Sequence, residues 1–428
     1  MTAALSTLAA LALAAAAPGA STVAPAAATA APGAASVSAS TAAPVIAGAA
    51  APAAAPADFV AEARALMRTV TCQGDGALPH GFDEATVAAY CARQQKAIAA
   101  YRDRYLPLAG PYLARLRPAG TPTTVVYPFG GGDLVSALTT YPDARDLTTL
   151  SLEHAGDPRR LSAITTKAQL ADSLELIRAT SAGLLYASDS KTENLMKGQR
   201  GELPGQLSFF LTALAIHGYQ PIRLTFFRVE KDGTLHHFTA AEIAALQGQE
   251  AKLLRGKWTE PDFSMAFSNS ELTFVRKGED PATAARVHRH IAWDLSDAAV
   301  AKTGIITYLE GKGTVAAMTK AASYLLWRDD FSRIRTYLLG HMTLMISDST
   351  GIPPHWAAPA GFVQETHGAF EVSFLEASEA YNREFRELWA SQPVRKLPFR
   401  YGYIDGLKDG EKTTGRYHLL VTRKAAGK

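Results

Sequence analysis

The chain has 428 residues, 47% of them hydrophobic and 19% charged, with a net charge of +3. That balance excludes a disordered polar chain, and with no basic run it also excludes a protein built to track a nucleic-acid backbone.

Residues 1–57 contain no Asp, Glu, Lys or Arg. The apolar run 3–17 has the length of a signal-peptide core and is short for a membrane span. The small residues after it place cleavage after Ala20, although no Lys or Arg precedes the run. Residues 21–57 continue as Ala/Pro repetition, which neither builds a core nor sustains a helix and predicts a disordered tether. The pattern predicts an exported bacterial protein, periplasmic or extracellular, with a leader at 1–20, a tether at 21–57 and no membrane segment in the mature chain. The plainer alternative is a disordered cytosolic tail.

Residues 58–118 read as a helical hairpin. Phe59, Ala63, Leu66 and Val70 share one face of a first helix, and Asp83 can cap a second that runs to about Tyr105, ahead of Pro107. A short helical piece, 111–116, follows. Cys72 ends the first helix and Cys91 lies two turns into the second. In an oxidising compartment a Cys72–Cys91 disulfide is expected.

From 119 to 428 the pattern is α/β. A β-branched strand at 123–127, the glycine turn Gly130-Gly131-Gly132-Asp133, a helix at 134–140 and a strand at 147–152 make a βαβ unit. Helices are expected at 166–196, 204–217, 314–327 and 331–339. Strands are expected at 221–229, 235–238, 272–276, 287–295, 343–346, 370–374 and 417–422, with 221–238 a hairpin. The expected fold is a Rossmann-like mixed sheet with helices on both faces, preceded by the helical hairpin and packed with it as one unit.

Gly130, Gly131, Gly132 and Asp133 end a strand and open a helix, where bare N–H groups meet a helix dipole and can hold an anion. Glu153 closes the next strand, near the position of a ribose-binding acid. Asp348-Ser349-Thr350-Gly351 follows a late strand, at a sheet end where open α/β folds bind ligands. Together Gly130–Asp133, Glu153, Asp348 and Gly351 are the candidate site for a small ligand. The plain alternative for the glycine loop is a tight turn with no ligand.

Two weaker patterns remain. Ser188-Asp189-Ser190-Lys191 with Lys302-Thr303-Gly304 carries the outer motifs of serine acyl-transferring hydrolases, without the middle one. His288 and His290 share a strand face with Asp294 and could bind zinc if a third ligand arrived, but that face most simply points to water or a neighbouring strand. His236 and His237 fall on opposite faces. No metal and no cofactor is predicted.

The first βαβ unit resembles that of S-adenosylmethionine-dependent methyltransferases in outline. It departs in having Tyr127-Pro128-Phe129 ahead of the glycines, and Val135 at the last glycine position of the dinucleotide fingerprint. Tyr127-Pro128-Phe129-Gly130-Gly131-Gly132-Asp133, Leu203-Pro204-Gly205-Gln206, residues 321–335 and 348–354 also resemble an uncharacterised family of exported bacterial proteins over about residues 120–375. That resemblance implies one continuous domain and brings no activity. The expectation is a non-catalytic binding or structural protein; the alternative is an enzyme, methyltransferase-like at the glycine loop or a hydrolase at Ser188 and Lys191.

Overall fold

A computed structural model describes residues 54–79, 81–187, 202–247, 265–370, 379–402 and 417–425. The leader, most of the tether, Ser188 and Lys191 lie outside the described residues.

The hairpin helices are α1 (Val60–Thr71) and α2 (Glu84–Ala100). Phe59, Ala63, Leu66 and Val70 are all buried, and Asp83 Oδ1 accepts the Thr86 N–H at 2.8 Å. Cys72 ends α1 in the left-handed region and is disulfide-bonded to Cys91, with the Cα atoms 5.6 Å apart. The helix does not stop before Pro107. It widens into a π turn at Tyr101–Tyr105 and continues as α3 (Leu106–Leu116). Pro107 lies directly after the π turn, where the Leu106 N–H bonds the Tyr101 carbonyl five residues back and the helical ladder has already changed register.

The strands are β1 (Thr124–Pro128), β2 (Asp146–Ser151), β3 (Tyr219–Val229), β4 (Leu235–His237), β5 (Asn269–Arg276), β6 (Arg286–Ala292), β7 (Val315–Thr319), β8 (Met342–Ser347), β9 (Phe362–Gly368) and β10 (His418–Lys424). They form one sheet in the order β4-β3-β5-β6-β2-β1-β7-β8-β10-β9. β6, β2, β1, β7 and β8 are parallel, while β5 and β10 pair antiparallel with β6 and β8. The expected mixed α/β sheet is therefore present.

Alternate side chains feed two cores. Val125, Tyr127, Ala316 and Met318 pack on one face, beneath α1–α3, α4 (Leu134–Thr140), α5 (Lys167–Ala182) and α6 (Gly205–Ile216). Val126, Val315, Ala317 and Met345 pack on the other, with α7 (Ile305–Glu310) and α8 (Ser332–His341). A central parallel strand is thus apolar on both sides. This overturns the helix expected at 314–327. Val315-Ala316-Ala317-Met318-Thr319 is a buried strand, and such a short apolar run has no periodicity to tell the two apart.

The His face of β6 is not wet either. His288 and His290 are both 0% exposed, because Phe210 of α6 lies against them with ring centroids 4.5 and 5.2 Å away. β9 carries Gln364, Glu365 and Thr366 and showed no strand pattern. It is an edge strand, and its outer side is covered by Gln392 and Arg395, which bond Thr366 N–H and Gly368 N–H. Of the strand expected at 370–374, all but Phe370 lies outside the described residues.

Candidate functional site

The parallel strands reverse their winding between β1 and β7. From β1 the chain crosses over α4 to β2; from β7 it crosses over α8, on the opposite face, to β8. Connections leaving to opposite faces open a crevice at the carboxyl ends of the two strands. Two loops meet there, 129–133 after β1 and 320–324 after β7.

Both loops are strained. Phe129, Ala321, Ser323 and Tyr324 have φ of 62°, 53°, 47° and 59°. Each such residue costs on the order of 1–3 kcal/mol and persists only where its surroundings impose it. The surroundings here are polar and buried. Lys320 Nζ pairs with Asp133 Oδ2 at 2.7 Å and donates to Ser136 Oγ at 2.6 Å. Tyr127 donates its hydroxyl to Asp133 at 3.1 Å, and Asp133 also caps α4 through the Ser136 N–H. Asp348, fully buried at the end of β8, accepts the Ala321 N–H at 2.9 Å and both the N–H and the hydroxyl of Thr350.

The glycines of the loop are packing devices. A Cβ on Gly130 would stand 2.6 Å from the Tyr127 ring, and one on Gly132 would stand 2.6 Å from Gln206 Oε1 and 2.7 Å from the Phe209 ring. Gly130, Gly131, Gly132 and Asp133 are all buried, and the space beside Gly132 in the Cβ direction is filled by α6. Gly351 is closed in the same way, with its missing Cβ 2.2 Å from Ser347 Oγ. The fold therefore brings Asp133 and Asp348 onto neighbouring segments, linked through Lys320 and Ala321, but as internal supports of the crevice.

Glu153 is fully buried and neither carboxylate oxygen has a hydrogen-bond partner among the described residues. Its carbonyl accepts from His290 Nε2 at 2.7 Å. That bond assigns the His290 proton to Nε2, so Nδ1 accepts from the Thr149 hydroxyl at 3.0 Å. Thr149 Oγ1 in turn accepts from His288 Nε2 at 2.9 Å. Burial lowers the pKa of His290 to about 4 and that of His288 well below its ordinary value. The two histidines are neutral struts that hold the turn after β2. No group of three or more His, Cys, Asp or Glu is placed to hold a metal among the described residues.

Open space lies just outside these supports. A small notch of about 80 Å³ is lined by Phe129, Ser151, Ala322, Ser323 and Trp293. Across Trp293 and Asp294, which line both, is a cleft of about 570 Å³ with Phe227, Phe238, Ile291 and Lys302 among its walls. Trp293 is 38% exposed. The Ser151 carbonyl fixes its position by accepting the Trp293 N–H at 2.7 Å. Trp293 and Lys320 were not among the sequence candidates. An apolar ring continuing past a buried strand, and a lone lysine ending another, were the signals available.

Comparisons of the chain with protein-family models, with curated proteins and with solved structures gave no match.

Proposed function

We propose that this chain is an exported envelope protein that binds a small ligand without transforming it, in the cleft beside Trp293 at the carboxyl edge of the sheet. The observation that carries the reading is the pair of strained loops at the winding reversal, held by Asp133–Lys320 and Asp348, next to a mostly apolar cleft of about 570 Å³. That volume is in the range of small-molecule sites, and open α/β sheets bind at this edge. Export is supported by the apolar run 3–17 with small residues after it and by the Cys72–Cys91 disulfide. No helix of the described residues is long and apolar enough to cross a membrane. The test is native and then denaturing mass spectrometry on protein taken from its own envelope. The expected result is a mature chain starting near Ser21, two hydrogens lighter than the reduced form, with a bound mass that denaturation removes. A bare chain would count against a resident ligand.

A second reading, the methyltransferase-like one, has two observations in its favour. The βαβ unit that carries the resemblance is present, with β1 and β2 parallel neighbours joined by α4. Glu153 is a buried carboxylate without a partner after β2. The loop residues count against the cofactor, since Gly130, Gly131, Gly132 and Asp133 are all buried and Gln206 and Phe209 stand where a Cβ on Gly132 would lie. Calorimetry with S-adenosylmethionine separates the two readings: no heat of binding is expected. Saturable binding lost in Glu153→Gln would reverse the preference.

A further inference from the structure

We infer that the cleft beside Trp293 takes an amphiphilic anion, with an apolar body and one carboxylate head, an inference that rests on the ligand-binding reading above. The interior of the cleft is apolar. Phe227, Phe238, Ile291 and Ile305 are buried in its walls, and Trp293 and Met265 stand at its rim.

The polar groups inside are already engaged or uncharged. The Asn269 amide donates to the Phe227 carbonyl at 3.1 Å and accepts the Ala292 N–H at 2.9 Å. Ser268 donates to the Met265 carbonyl. Burial lowers the pKa of His154 to about 3, with His290 adding to the effect, so it is neutral. Nothing in the interior calls for a polar ligand body, and desolvating one there would be costly.

The mouth is different. Arg228 and Glu230 neutralise one another at 2.7 Å, and Asp294 accepts the Ser296 N–H. Lys231 and Lys302 also line the cleft, are exposed, and form no ion pair among the described residues. Their two turns pack together: a Cβ on Gly304 would fall on the Glu230 carbonyl and 2.9 Å from the Lys231 backbone. Two lysines thus sit on adjoining turns at one side of an apolar cleft. A carboxylate head gains charge-assisted hydrogen bonds there while its chain leaves water.

The experiment is titration calorimetry of the full chain with decanoate, decan-1-ol and decyltrimethylammonium, on the wild type, on Lys231→Ala/Lys302→Ala and on Trp293→Ala. Both lysines are exposed, so the double variant should keep the wild-type unfolding midpoint. The expected result is saturable decanoate binding about tenfold tighter than the alcohol. The double lysine variant should bring decanoate to the level of the alcohol and leave the alcohol unchanged, and Trp293→Ala should weaken both. Equal binding of acid and alcohol, or tighter binding of the ammonium, overturns the anionic head while the cleft reading stands. No binding of any of the three, with a bound mass still present on protein from the envelope, overturns the amphiphile alone. No binding together with a bare native mass overturns both.

Discussion

Lys320 Nζ lies 2.7 Å from Asp133 Oδ2, with the two side chains 2% and 0% exposed. This pair ties the end of β7 to the start of α4 across the winding reversal. It sets the backbone of both crevice loops. Removing Lys320 leaves the buried Asp133 charge without its cation, a loss of roughly 3–5 kcal/mol. Lys320→Met is therefore expected to lower the urea midpoint strongly. Asp133→Asn combined with Lys320→Met should lose less than Lys320→Met alone, because no net charge is then stranded. Equal losses would show that the pair is not the support described here.

Gly132 tests whether the glycine loop is a turn or a cradle. Gly132→Ala drives a methyl group into Gln206 and Phe209. Overpacking of this kind costs roughly 1–3 kcal/mol. The expected outcome is a lower melting temperature, with affinity for a cleft ligand unchanged in the protein that remains folded. Loss of affinity at unchanged stability would return the loop to the ligand.

Much of this was legible from local pattern. The hairpin, its disulfide and the first βαβ unit each carry their signal within a few residues, as Asp83 does for α2 and the β-branched run does for β1. The rest depended on contacts distant in sequence. Val315–Thr319 looked helical because both its faces are buried, and burial on both sides erases alternation. For His288 and His290 the local pattern leaves water and a neighbouring strand both open; the bonds to Thr149 show the strand, and the cover by α6 has no local signal because that helix comes from residues 205–216. Gly130–Asp133, Glu153, Asp348 and Gly351 all lie at the carboxyl edge of the sheet, but the packing of Gln206 and Phe209 on Gly132 and of Ser347 on Gly351 has no local signature. Lys320 could be understood only once Asp133 was seen beside it.

Acid should destabilise the fold through the half-buried His217 and the fully buried His290. Burial lowers the pKa of His217 and of His290 to about 4. Their unfolded value is about 6.5. Above that pH they are neutral in both states and contribute nothing to the pH dependence. Below it the unfolded chain takes up protons that the folded chain refuses, so stability falls from pH 6.5 to about 4 and the histidine contribution then levels off. Each contributes on the order of a few kcal/mol across that window. Urea unfolding at pH 7.5, 5.5 and 4.5 should show the fall, and His217→Gln should flatten it. Constant stability across the range would contradict the lowered pKa of both rings.

The Cys72–Cys91 bridge closes a sequence separation of 19 residues. A bridge of that span contributes about 3 kcal/mol. Replacing both cysteines with serine should lower the thermal midpoint by several degrees. α1 and α2 should still form, because Phe59, Leu66 and Val70 remain buried against the sheet core. A midpoint equal to that of the wild type would mean that the hairpin is held by packing alone.

The position of a bound molecule decides the account most directly. The measurement is a crystal structure of the protein purified from its envelope with its ligand retained. The account predicts ligand density against the Trp293 ring, in the cleft between Met265 and Lys302, with Gly132 still covered by Gln206 and Phe209. Density lying on Gly130–Asp133, with α6 displaced, would contradict it and restore the glycine loop as the functional centre.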